Sequence, residues 1–175
     1  MKFVSALFTV DELERIPDPP GGRYELHHGE LYFKRFRERR YGDIQRSLRD
    51  LLDPICAPLG FLADTNYPYR PLPESELWGA DVACIRRSRE RGVEKWLIGS
   101  PELVIEVKHP SVTTHEVHAK AMLTLCGEGV VAFWAIDPET QTVTVYTRDG
   151  MQRYAASESI PIDFLDCSIC LAEIL

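Results

Sequence analysis

The chain has 175 residues, 45% hydrophobic and 27% charged, which suits one globular domain over 1–175 and leaves no room for a disordered or low-complexity class. The longest apolar runs, such as 130–136, are too short to span a bilayer, and the start shows no export-cleavage pattern, so the cytoplasm is the expected compartment. A net charge of −7 argues against indiscriminate nucleic-acid binding, and five scattered cysteines (Cys56, Cys84, Cys126, Cys167, Cys170) read as reduced thiols rather than a disulfide framework.

Taken along the chain, Thr9-Val10-Asp11-Glu12 has the form of a capping box and predicts a short helix ended by Pro17. Residues 23–36, rich in Tyr, Leu and Phe with His28-Gly29 at the middle, predict a β-hairpin. Over 41–52, Ile44, Leu48, Leu51 and Leu52 share one helical face, predicting an amphipathic helix stopped at Pro54. A strand is expected over 59–69. The apolar runs 81–85 and 103–107 then predict two central, mostly buried strands. Thr113 to Glu116 repeats the capping-box pattern and opens a helix expected to run to Cys126 and end at Gly127. A third buried strand covers 130–136. Residues 142–147 and 151–155 pair as a hairpin across Asp149-Gly150, and the tail closes in a short strand or turn and a brief helix. The alternation of helices with apolar strands is of the α/β type, carrying an antiparallel extension.

Charge is unevenly distributed. Between Lys34 and Arg49 seven basic residues face only Glu38 and Asp43, a local balance of +5, and a second cluster from Arg86 to Lys95 is +3. Most such runs are solvated faces. Clustered arginine also suits phosphate, which makes Arg35, Arg37, Arg39, Arg40, Arg86 and Arg87 candidate backbone contacts.

Two acids stand out because they interrupt apolar strands. Glu106 lies inside Leu-Val-Ile-Glu-Val, where a buried carboxylate needs a partner, a proton or a metal. Strand alternation puts Lys108 on the same face. Asp81 opens the preceding apolar strand, so the two carboxylates are positioned to meet at one end of a sheet, an oxygen-donor pair suited to Mg²⁺ or Mn²⁺. A structural ion pair between Glu106 and Lys108 is the plainer alternative.

Asp81 followed by Glu106-Val107-Lys108 resembles the D…(D/E)xK pattern of the PD-(D/E)XK nuclease superfamily. More specifically, Tyr-Glu-Leu-His-His-Gly-Glu-Leu at 24–31, Ala-Asp-Val-Ala at 80–83, Pro-Glu-Leu-Val-Ile-Glu-Val at 101–107, Pro110-Ser111 and Asp137-Pro138 are similar, in order, to a bacterial branch described as "putative restriction endonuclease". That resemblance implies a restriction-endonuclease-like core of the α/β (α+β) class, a mixed central sheet flanked by helices with hairpin additions. It implies DNA as substrate, double-stranded, cleaved with Mg²⁺ or Mn²⁺ held by Asp81, Glu106 and the Val107 carbonyl, and often a homodimer. Members commonly use a lysine on the helix after the strand glutamate, so Lys108 and Lys120 are both candidates for the catalytic ammonium. A further acid is expected from the first hairpin, either Glu25 or Glu30, with Glu30 favoured by its place at the turn. Many relatives start the first long helix with a histidine where this chain has Tyr41. The competing expectation is a catalytically idle nuclease fold that binds nucleic acid or a protein.

Zinc hydrolysis is disfavoured. His115 and His118 stand three residues apart, whereas HExxH needs four to share a helical face. Cys167 and Cys170 form a lone CxxC with no second pair.

Overall fold

A computed structural model describes residues 7–35, 38–91 and 95–175; the candidate Arg37 lies outside the described residues. The elements in chain order are helix α1 (Val10–Leu13), strands β1 (Gly22–His27) and β2 (Glu30–Arg35), helix α2 (Arg39–Cys56), strands β3 (Phe61–Arg70) and β4 (Trp78–Arg86), helix α3 (Arg87–Glu90), strands β5 (Leu97–Ile98) and β6 (Leu103–Val107), helix α4 (Thr114–Cys126), and strands β7 (Ala132–Asp137), β8 (Thr142–Thr147), β9 (Gly150–Ala155), β10 (Ile160–Ile162) and β11 (Cys167–Ile169). Seven strands form one mixed sheet in the order β5-β3-β4-β6-β7-β8-β9, parallel only at β3–β5 and β6–β7. The hairpins β1–β2 and β10–β11 stand apart from it.

Alternation of side chains assigns the two faces. Val82, Cys84, Leu103, Ile105 and Val107 point to one side, where Leu48, Leu52 and Cys56 of α2 and Ile160, Ile162 and Ile169 of the last hairpin cover them. Ala83, Ile85, Val104, Phe133 and Ala135 point to the other, beneath Val117, Ala121 and Leu125 of α4. Each large aliphatic side chain buried in this way contributes roughly 1.5–3 kcal/mol. The capping boxes at Thr9 and Thr113 both form, each with its glutamate returning to the cap residue's own N–H. His28 (φ 53) and Gly29 (φ 78) are both left-handed, the geometry of a tight two-residue hairpin turn.

Three boundaries depart from the sequence expectation. Strand β4 begins at Trp78, so Asp81 lies inside it and does not open it. Helix α2 runs through Pro54 to Cys56. Proline in the last turn removes one backbone bond, and the apolar stripe continues past it to the buried Cys56. The tail ends as the β10–β11 hairpin around a 3₁₀ turn (Asp163–Leu165), with no α-helix after it among the described residues. None of the helices in the described residues is long and apolar enough to cross a membrane.

One irregularity prepares the functional site. The β3–β4 ladder pairs Thr65 with Val82 and Tyr67 with Ala80, omitting Asn66 and Asp81, and Asn66 is left-handed at φ 53. The β4–β6 ladder likewise stops at Val82–Ile105, one step before Asp81 would meet Glu106. The sheet therefore opens between β4 and β6 where the two acids sit.

Candidate active site

Asp81 is fully buried and replaces the missing ladder bond with its side chain: the Val107 N–H donates to Asp81 Oδ2 at 2.8 Å. Glu106, one residue earlier on β6, is also buried and projects on the α4 side. From α4, Lys120 reaches Glu106 Oε1 at 2.6 Å and the Gly79 carbonyl at 3.1 Å. From β2, Lys34 reaches the same Gly79 carbonyl at 3.1 Å, with its Nζ 3.3 Å from Glu25, 3.7 Å from Asp81 and 3.9 Å from Glu106. Among the described residues, three carboxylates and two ammoniums thus converge from β1, β2, β4, β6 and α4, and the two lysine side chains remain 16% and 15% exposed. Such low exposure strengthens the electrostatics among these charges.

The two lysines are not equivalent. Burial works to lower both. For Lys34, the surrounding Glu106, Glu25 and Asp81 outweigh burial and raise its pKa, so it is held as a cation. For Lys120, burial together with the neighbouring Lys34 outweighs Glu106 and Glu25, and its pKa is lowered. Glu25 is pushed up by burial, yet Lys34, the His27 hydrogen bond, Lys120 and Arg23 together hold it well below the usual carboxylate range.

Glu25 is the organiser of the hairpin side. It accepts from the Gly79 N–H at 3.0 Å, contacts Arg23 at 3.3 Å and lies 3.1 Å from His27. Arg23 in turn donates to the Asn66 carbonyl at 3.0 Å, bracing the distorted stretch of β3 opposite Asp81. A side chain at Gly79 would collide with the Arg23 guanidinium, so glycine is what lets this brace reach across β4. Behind it the fully buried Glu76 accepts from the His28 N–H at 2.8 Å and the Trp78 indole at 2.7 Å, pinning the hairpin to β4.

The structure sorts the sequence candidates. Asp81, Glu106 and Lys120 come together. Lys108 does not join them: β6 ends at Val107, and Lys108 pairs with Asp137 at 3.0 Å. Glu30, the favoured hairpin acid, is exposed beside the turn, whereas its alternative Glu25 is buried against Lys34, because Glu25 pairs with Tyr32 well inside the hairpin. Arg86 and Arg87 stand at the far end of β4, five residues or more from Asp81 and so roughly 16 Å away along the strand. There Arg87 donates to the Phe61 carbonyl at 3.0 Å and Arg86 lies 4.6 Å from the Phe61 ring. Arg39 and Arg40 open α2 and are exposed, Arg40 bonded to Glu139 at 2.7 Å, and Arg35 follows Lys34 at the end of β2, also exposed. Lys34 was legible only as part of a basic run. The signal for its role was the carboxylate of Glu25 at a position where the hairpin must be buried.

The donor set suits a hard cation. Among the described residues no three His, Cys, Asp or Glu side chains gather as a ligand cage. Two carboxylates from adjacent strands, with water and phosphate oxygens completing the shell, are the usual provision for Mg²⁺ or Mn²⁺.

The family model for Uma2, described as "Putative restriction endonuclease", matches residues 10–169. The chain belongs to the Uma2 family. A search of curated proteins finds no match. Among solved structures, an Anabaena variabilis ATCC 29413 protein described as "a putative nuclease belonging to DUF820" superposes with a TM-score of 0.82 at 19% identity, covering 95% of this chain and 97% of that one. At that identity the likeness shows the fold, and the Uma2 chain shares it from end to end. The family description supports nuclease chemistry at the coarse level, and the acids and lysines gather where β4 and β6 part.

Proposed function

We propose that the chain is a divalent-metal-dependent endonuclease hydrolysing phosphodiester bonds in DNA. The observation that carries this reading is the convergence of Asp81 and Glu106, from two parted strands, on the ammoniums of Lys34 and Lys120. Asp81 and Glu106 would hold Mg²⁺ or Mn²⁺. Val107 would join them, since its N–H points to Asp81 and a strand residue's carbonyl leaves on the same edge as its N–H. When bound, the cation offsets charge developing on the phosphoryl oxygens and acidifies a water. Lys120, bonded to Glu106, is the group that would orient the attacking water. Lys34, held as a cation, suits the phosphate oxygens. Arg35, Arg39 and Arg40, exposed at the end of β2 and the start of α2, would extend phosphate contact, which adds affinity without reading sequence.

Nicking of supercoiled plasmid tests the reading, in Mg²⁺, Mn²⁺ and EDTA. Metal-dependent cutting by wild type that is lost in Glu106→Ala, with the variant still folded, supports it. Equal cutting by both marks a contaminant. No cutting of any nucleic acid, with salt-dependent DNA binding unaffected by loss of Asp81 and Glu106, replaces it with an idle binding module.

A further inference from the structure

The β1–β2 hairpin presents more than Lys34 and Glu25 to the site. Directly opposed residues of an antiparallel pair share a face, and Tyr32 pairs with Glu25 while Lys34 pairs with Arg23. Tyr32 and Lys34 therefore lie on one face of β2, two residues or about 7 Å apart. The Tyr32 ring lies parallel on His27, with centroids 4.8 Å apart and planes 13° apart, and the residue remains 52% exposed. His27 is itself fixed, its Nε2 3.1 Å from Glu25 and its ring 5.3 Å from Trp78. Trp78 sits 5.6 Å from the Lys120 ammonium. A chain of ring contacts thus leads from the Lys120 ammonium through Trp78 and His27 to the exposed Tyr32.

We propose that Tyr32 is a stacking platform for an unpaired nucleobase belonging to the strand whose phosphate lies against Lys34 and Lys120. The proposal rests on the nuclease reading and narrows its substrate. A base inside a duplex already stacks on both neighbours, so the tyrosine can take only a base in an overhang, in a gap, in single strand, or turned out of the helix. The ring is held by His27 before any ligand arrives, so little side-chain freedom is lost on stacking. Cations one strand step away select a polyanion over a neutral aromatic ligand.

The test is binding of a single-stranded oligonucleotide bearing one 2-aminopurine to wild type, Tyr32→Phe and Tyr32→Ala, in EDTA and in Ca²⁺, with each variant's melting curve compared to wild type. The 2-aminopurine emission is expected to be quenched by wild type and Tyr32→Phe but not by Tyr32→Ala. Affinity for the Ala variant should be about tenfold weaker, within the range for one base–aromatic stack. A blunt duplex should bind all three equally. Quenching and affinity unchanged in Tyr32→Ala, or no binding by any of the three, overturns the proposal. Its failure is separable from that of the nuclease reading: plasmid cutting that depends on Glu106 but not Tyr32 removes only the stack. Tyr32-dependent quenching with no cutting of any substrate removes only the catalysis.

Discussion

Replacing Lys34 with methionine keeps all but the last atom of the side chain's length and removes its charge, which makes it the sharpest probe of the acid cluster. In the folded protein the Nζ lies 3.3, 3.7 and 3.9 Å from the carboxylates of Glu25, Asp81 and Glu106. A single pair at such a distance is worth about 4 kcal/mol at an effective dielectric near 20, before the cost of desolvating the ammonium. Breaking a buried pair by removing one partner costs about 3–5 kcal/mol, because the other charges stay behind uncompensated. The expected loss for Lys34→Met in EDTA is therefore about 3–5 kcal/mol, a fall in melting temperature on the order of 10 °C for a chain of this size. Divalent cation should return much of it. With this ammonium gone, Mg²⁺ meets less competition for Asp81 and Glu106, Lys120 still holding Glu106, and saturation at about 100 times the dissociation constant restores roughly 2.7 kcal/mol. Thermal and urea unfolding in EDTA and in Mg²⁺, for wild type, Lys34→Met and the double variant with Glu106→Ala, measure both effects. A loss under about 1 kcal/mol, or Mg²⁺ stabilising the double variant as much as Lys34→Met, would refute the reasoning.

Lys120→Met should lower plasmid cutting by about 100-fold or more, whereas Lys108→Ala should leave it within a few-fold, since Lys108 bonds Asp137 outside the cluster; equal losses in initial rate would contradict the assignment. Glu25 has a folded pKa held below its unfolded value, so its contribution is complete above the unfolded pKa of about 4.3 and is lost as pH falls through the folded value. Urea midpoints of wild type and Glu25→Gln should accordingly converge between pH 6 and pH 3, and a constant gap would show that the carboxylate is not held ionised. Glu76→Ala strips the His28 N–H and the Trp78 indole of a buried acceptor, and urea unfolding should show a loss of about 2–3 kcal/mol with the hairpin's proteolytic resistance reduced.

The elements with strong local signals were readable from the chain. Both capping boxes, the His28-Gly29 turn and the β6 run at 103–107 form as expected, because each is set by neighbouring residues and by strand or helix periodicity. The prominence of Asp81 and Glu106 followed from the same local logic, since a carboxylate inside an apolar strand demands a partner. Pro54 misled because proline's effect depends on its distance from a helix end, which tertiary packing fixes through Cys56.

The sequence by itself determined the kinds of groups available: two strand acids, a lysine after one of them, another on the following helix, and a basic, aromatic hairpin near the start. Tertiary structure alone decided which of them meet. Lys108 is two residues from Glu106 in sequence yet turns to Asp137, because β6 has ended and alternation no longer aims its side chain. Lys34 is 72 residues from Glu106 yet 3.9 Å from it in space, because Glu76, Trp78 and Leu77 dock the hairpin over the opening between β4 and β6. Periodicity reports which face a residue shares with its neighbours. It carries no information on which distant face closes over that one, and in this protein the charged cluster lies at such a closure.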